Sequence, residues 1–237
     1  MSKHLVLPDT QIKPGVPLDH ITWAAKYAVA KKPDVIVMIG DWADMSSLSS
    51  YDVGKKDFEG RTYTADIEVA NDALSMFMTP IENERVRLRK NKEKQWNPRL
   101  VYTLGNHENR INRAINTDRK LEGLISTDDL AFKSWGWEVH DFLSPVIIDG
   151  IAYCHYFTTG VMGRPVTSAR AMTSKKHMSC TMGHNQATEI DMSSVRADGT
   201  PIIGLFAGCY ALHDEDYLGP QGNPVHRQIW VKHEVKD

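Results

Sequence analysis

Five short apolar runs in this chain each lead into a residue that can bind a cation. Asp9 follows His4-Leu5-Val6-Leu7-Pro8, Asp41 follows Val35 to Gly40, and Asn106-His107 follows Leu100 to Gly105. His155 follows Ile151 to Cys154, and His184 follows Cys180 to Gly183. Short apolar runs bounded by turn residues read as strands, and α/β sheets present functional groups at the carboxyl ends of their strands. A single Asp or His after a strand is ordinarily a turn residue. Five tips carrying only Asp, Asn and His, three of them opening through Gly, predict one shared crevice holding metal.

The rest of the composition narrows the setting. A chain of 237 residues suffices for one domain with a full core. A net charge of -2 gives no global field toward nucleic acid or a membrane, although a local basic groove remains compatible with it. Cys154, Cys180 and Cys209 all sit in apolar, strand-like stretches, and an odd count suits a disulfide framework poorly. They are expected to be reduced core residues. The first strand begins almost at Met1, which leaves no space for a signal peptide, and no apolar run approaches membrane-spanning length. The expectation is a cytoplasmic protein with no membrane association and no obligate protein partner.

The opening half alternates strand and helix. Asp19 is placed to cap a helix ending near Ala30, before Pro33, and Val35 to Ile39 follows as a strand. Met45 to Gly60 lacks either period and reads as a surface loop. Ile67, Ala70, Leu74, Phe77, Met78 and Ile81 fall at helical spacing, and Thr79-Pro80-Ile81-Glu82 has the form of a capping box that starts a second helix or a kink. The basic segment Glu84 to Lys94 reads first as a solvated helix end and second as a lining for phosphate. The later half is richer in strands. Asp149-Gly150 and Asp198-Gly199 are hairpin turns, Thr167 to Met178 spans a short helix, and Gln228 to Val235 is the last strand. Trp135 and Trp137 fit either core or interface. Two packed sheets with helices outside account for this order.

The same residues resemble the calcineurin-like metallophosphoesterases. Gly40-Asp41-Trp42-Ala43-Asp44 matches that family's Gly-Asp-x-x-Asp block, and Gly105-Asn106-His107-Glu108 its Gly-Asn-His-Glu block. His155 matches the lone strand-end histidine, and Gly183-His184 opens the last block. The resemblance runs from Asp9 to Gln186. It implies a four-layer α-β-β-α sandwich with two mixed sheets, a metal site at the strand C-terminal ends, and one domain over residues 1–237 with a helical insert at about 62–95. Two positions depart from the pattern: Gln11 and Gln186 stand where the family carries histidines on one and the same metal.

Carried over, one metal is expected on Asp41, Asn106, His155 and His184. A second, oxygen-rich site is expected on Asp9, Gln11, Asp41 and Gln186, with Asp41 bridging. The cofactors implied are two divalent ions, manganese first, with magnesium, iron or zinc as alternatives. An alternative leaves the glutamines uncoordinated and a single metal bound. His107 resembles the family's proton donor, and Asp44 the acid that orients it; a helix cap before Ser46 and Ser47 is the other reading of Asp44. Glu108 is expected to support ligands rather than bind metal. Arg110 and Arg113 share a helix face just beyond the site and are expected at the surface, with contact to phosphate as the alternative. Arg164, Arg170, Lys175 and Lys176 suit either a substrate flank or an exposed helix face.

The implied activity is phosphoester hydrolysis of the phosphodiesterase or nuclease type, with nucleotides and nucleic acids among the candidate substrates. A protein phosphatase is disfavoured, because Met45-Ser46 follows Asp44 where that branch has Arg-Gly. A rival is a degenerate scaffold that keeps the fold without turnover.

Overall fold

Five strands build the first sheet, and the central ones are buried almost without interruption, as strands covered on both faces require. In the computed structural model, which describes residues 1–50, 59–214 and 225–236, β1 (Ser2–Leu7), β2 (Val35–Met38), β3 (Arg99–Thr103) and β4 (Glu138–His140) run parallel. β10 (Trp230–Val235) joins β1 antiparallel, giving the order β10-β1-β2-β3-β4. The second sheet has the order β5-β6-β7-β9-β8. Within it β6 (Ile151–Tyr153), β7 (Ser179–Met182) and β9 (Pro201–Ala207) are parallel, flanked by antiparallel β5 (Val146–Ile148) and β8 (Thr188–Val195). The protein is therefore α/β with two mixed sheets.

Residues of opposite parity on β1 to β3 face different cores, as the two-residue period of a strand requires. Leu5, Leu7, Ile36, Met38, Leu100 and Tyr102 pack with Ala24, Ala28, Leu74 and Phe77 of the helices α1 (Asp19–Lys31) and α2 (Tyr63–Lys90). On the other face Val6, Val37, Ile39 and Val101 meet Val146, Ile148 and Tyr153 of the second sheet. Behind that sheet, Ala152, Cys180, Met182 and Phe206 pack against Ala169 and Met172 of α4 (Ala169–Lys176). A fourth helix, α3 (Asn109–Thr117), follows β3. The three cysteines are free and buried, and no helix among the described residues is long and apolar enough to cross a membrane.

Several expectations change in detail. Asp19 is the first residue of α1 and makes no side-chain cap, Leu18 being the cap residue. No second helix starts at Thr79: α2 passes through Pro80 and is capped instead by Thr62, whose side chain accepts from Ala65 N–H. Proline inside a helix costs about 3 kcal/mol. The apolar stripe Ala70, Leu74, Phe77 and Ile81 stays buried across it, and that packing outweighs the local penalty. The basic segment after Glu84 is the solvated helix end: Arg87 pairs with Glu84 and Glu93, and Lys32 with Glu84. Trp137 is buried against Phe77 and Phe132, with Trp135 packed beside them, so both belong to the core. Of the loop expected over Met45 to Gly60, residues 51–58 lie outside the described residues, and Ser46–Leu48 forms a 3-10 turn.

Candidate metal centre

Every one of the five apolar runs ends at the same edge of the two sheets. Asp9, Asp41 and Asn106 leave the carboxyl ends of β1, β2 and β3, and His155 and His184 leave those of β6 and β7. Backbone bonds continue the sheet past its strands: Gln11 N–H donates to Asp41 C=O at 2.9 Å, and Ile12 N–H to Trp42 C=O at 2.8 Å. Tyr210 N–H ties the Asp9 carbonyl at 3.0 Å. The loop tips are thus fixed to each other before any side chain is considered.

Glycine at two of these tips is sterically required. A Cβ on Gly105 would fall 2.1 Å from Asp41 Oδ1, and one on Gly183 would fall 2.2 Å from Asp9 Oδ1. Asp41, Gln11 and His184 carry positive φ of 51°, 46° and 65°, a left-handed backbone that non-glycine residues adopt at a cost of order 1–3 kcal/mol each. Strain of this kind persists where the surroundings dictate it. Here the surroundings include Glu108, fully buried, which accepts N–H donors from Asp41 at 3.0 Å, Gly105 at 2.7 Å and Ala43 at 2.9 Å. Glu108 therefore holds the Asp41 and Asn106 loops together and takes the supporting part expected of it.

Four donor atoms converge in front of that scaffold. Asn106 Oδ1 lies 2.8 Å from His155 Nε2 and 2.7 Å from His184 Nδ1, and Asp41 Oδ2 lies 3.3 Å from His155 Nε2. Ligand atoms of Asp41, His155 and His184 all fall within 4.8 Å of one another. The other ring nitrogen of His155, Nδ1, donates to Ile39 C=O at 3.0 Å, which orients the ring with Nε2 toward the cluster.

The remaining expected ligands sit beside these four. Gln186 Nε2 donates to Gln11 Oε1 at 3.2 Å, so the two glutamines meet although 175 residues separate them. Asp9 is buried with Oδ1 3.9 Å from His155 Nδ1 and with no hydrogen-bond partner for that oxygen among the described residues. Burial raises the Asp9 pKa to about 8 despite the opposing His155, while Asp41 is held below the ordinary range because His107 and His155 outweigh its own burial. Burial works to lower the His155 pKa, but Asp41, Asp9 and Glu108 together outweigh it and leave it at about 9. Burial and the neighbouring His155 bring His184 to about 4. Crowded buried carboxylates beside imidazoles, with one oxygen unsatisfied, suit a divalent cation. The nitrogen and oxygen donors present suit the same group.

His107 and Asp44 form a separate pair at the edge of the cluster. His107 Nδ1 donates to Asp44 Oδ1 at 2.7 Å and to the Asp44 carbonyl at 2.8 Å, while Nε2 lies 3.7 Å from Asp41 Oδ2. Burial works to lower the His107 pKa, but Asp41 and Asp44 outweigh it and leave it at about 9. The 3-10 turn after Asp44 has Met45 as its cap residue with no side-chain cap bond, so Asp44 is not its cap. Arg110 corrects another expectation. It is drawn inward, donating to the Asp44 carbonyl at 2.8 Å and lying 3.5 Å from both Asp44 Oδ1 and His107 Nε2. Its position one helical turn after His107 carried that signal. Lys13, 3.7 Å from Asp44 Oδ2, and Tyr156, whose ring lies 4.7 Å from that of His184, were not singled out by the sequence. Arg170 and Lys175 lie on the exposed face of α4.

Comparison with known protein families finds no matching family model, and comparison with curated proteins finds no significant match.

Proposed function

We propose that this protein is a metal-dependent phosphoester hydrolase of the phosphodiesterase or nuclease type, built as the four-layer α-β-β-α sandwich of the calcineurin-like metallophosphoesterases. The observation that carries the reading is a proton donor held next to the ligand cluster yet outside it: His107, fixed through Nδ1 by Asp44. Asp41, Asn106, His155 and His184 would hold one cation. Asp9, Gln11 and Gln186 would hold a second with Asp41 between them, the carbonyl of Gln186 becoming available on a flip of its amide. Divalent cations bound there supply a water activated at neutral pH and neutralise phosphoryl charge.

The chain's own residues account for the proton. His107, with its pKa raised to about 9, is protonated at neutral pH. Its Nδ1–H is occupied by Asp44, so Nε2–H is the one free to pass to the leaving oxygen as the ester bond breaks. Asp44 keeps the ring oriented and favours its charged form. Arg110 in turn holds the Asp44 carbonyl and contributes positive charge beside the same edge. Phosphate esters are the substrates in which an oxygen leaving group and dense negative charge arise together.

One observation favours two rival forms. Gln11 and Gln186 satisfy each other by a hydrogen bond, which is compatible with a single bound cation or with a scaffold lacking turnover. A single experiment separates them: metal content of the purified protein, followed by hydrolysis of bis-p-nitrophenyl phosphate and p-nitrophenyl phosphate with manganese or magnesium. Turnover lost on chelation and in His107→Ala supports the hydrolase. Metal bound at one equivalent with turnover supports the mononuclear form, and no turnover with any metal leaves the scaffold.

A further inference from the structure

The inter-sheet space has a second opening at the end remote from the candidate centre. His155 and His184 leave the carboxyl ends of β6 and β7, whereas Ile151 and Ser179, the first residues of those strands, line a cavity of about 660 Å³. That volume lies within the range of pockets that enclose small organic ligands. One wall is β10 and the other is the inner face of β8 and β9, where Ile190 and Ile203 are 52% and 41% exposed. Leu205 and Trp230 extend the apolar lining. α4 packs on the opposite face of β8 and β9, so it does not cover these side chains.

Lys232 is the feature that gives this cavity a chemical preference. It pairs with His4 across β10 and β1, and its side chain runs inward. Nζ reaches the Thr181 hydroxyl and lies 4.8 Å from the centre of the Tyr153 ring, both residues being fully buried. Among the described residues no carboxylate forms an ion pair with it. Of the acidic groups lining the cavity, Asp149 is committed to Ser2 and His4 and Asp198 to the Thr200 N–H at 2.9 Å, while Glu234 lies on the same strand as Lys232 without an ion pair to it. An ammonium facing an aromatic ring and a hydroxyl in an apolar setting is costly without an anion. Burial accordingly lowers its pKa, to about 7.

We propose that this cavity binds an amphipathic organic anion, with a carboxylate on Lys232 Nζ and an apolar body along Ile190, Ile203 and Leu205. The chemistry is a monocarboxylate of a saturated chain, and the site is independent of the metal centre. It requires neither catalysis nor a bound cation.

The test is calorimetric titration of the full chain with octanoate and with octan-1-ol, in EDTA so that a carboxylate cannot be held by metal. Octanoate is expected to bind at one equivalent and octan-1-ol at least about tenfold more weakly. Lys232→Met should remove that preference, and Ile203→Trp, at an exposed position, should fill the cavity and weaken both ligands. Circular dichroism establishes that each variant is folded. No saturable heat with octanoate in EDTA overturns the proposal. So does wild-type affinity in a folded Ile203→Trp, or equal affinity for acid and alcohol in the parent protein. Failure here leaves the hydrolase reading intact, because chelation has already removed the metal from this measurement.

Discussion

Replacing Asp44 by Asn tests the proton donor without altering its size. The Asp44 carboxylate accepts from His107 Nδ1 at 2.7 Å and also faces Arg110 at 3.5 Å and Lys13 at 3.7 Å. A hydrogen bond to a charged group contributes about 1.5–3 kcal/mol. Asparagine keeps an acceptor oxygen but removes the carboxylate charge, and losing that charge beside the imidazolium corresponds to a fall in the His107 pKa of roughly 1–2 pH units. The sign follows from the direction of the shift. In the folded protein His107 titrates at about 9, above its ordinary 6.5, so the acid form is present below that value and lost as pH rises through it. Asp44→Asn should therefore move the alkaline limb of kcat down by ~1–2 pH units, cutting the rate at pH 9 by about 5–50-fold while the rate at pH 6 changes little. Bound cations lower the absolute position in both proteins, so the measured quantity is the difference between the two profiles. The assay is hydrolysis of bis-p-nitrophenyl phosphate from pH 5.5 to 10 with manganese. A uniform loss at every pH, with the alkaline limb unmoved, would refute the role of Asp44 as the group that maintains the charge on His107.

Three further outcomes follow from the same geometry. Gly105→Ala places a methyl 2.1 Å from Asp41 Oδ1 and should reduce manganese affinity at least about tenfold in calorimetry, with a stability loss of about 1–3 kcal/mol; unchanged affinity would dissociate Gly105 from the centre. The double change Gln11→His and Gln186→His should raise zinc affinity and shift metal preference from manganese, and unchanged stoichiometry and preference in a folded protein would remove those residues from the ligand set. His20 is buried with no hydrogen-bond partner for either ring nitrogen among the described residues, and burial, with His213, lowers its pKa to about 4. The unfolded chain takes up that proton first, near pH 6.5, so stability is full above that pH and falls by roughly 3 kcal/mol toward pH 4. In denaturant titrations His20→Phe should flatten this acid dependence, and an unaltered slope would count against it.

What could be read from residue order alone was the set of strand tips. Apolar runs ending in Asp, Asn or His carry their own boundary, and β1, β2, β3, β6 and β7 end where those runs end. Glycine next to the functional residue reflected real crowding at Gly105 and Gly183. The hairpin turns at Asp149-Gly150 and Asp198-Gly199 were equally local, since each supplies the backbone that an antiparallel reversal needs. The passage of α2 through Pro80 was not local: it depends on a core stripe that outweighs the missing N–H. The Asp198-Gly199 turn implied a strand before it, but the extent of β8 was illegible because it is an edge strand, with Ile190 and Met192 exposed and Asp191 turned to Thr173. Arg110 was misplaced for a related reason. Helical spacing shows which residues share a face, and only the docking of α3 decides that this face meets Asp44.

The candidate ligands straddle the seam between the sheets: Asp9, Asp41 and Asn106 stand on one side, His155 and His184 on the other. No continuous fragment shorter than Asp9 to Gln186 contains the full set, Gln11 and Gln186 included. A cation gripped by Asp41 and Asn106 on one side and His155 and His184 on the other would act as a rivet across the Val6, Ile39 and Tyr153 contact, joining segments that are distant in the chain. Such a rivet can close only after both halves have docked, which makes its assembly a late folding event and lets cation loss loosen the halves from each other.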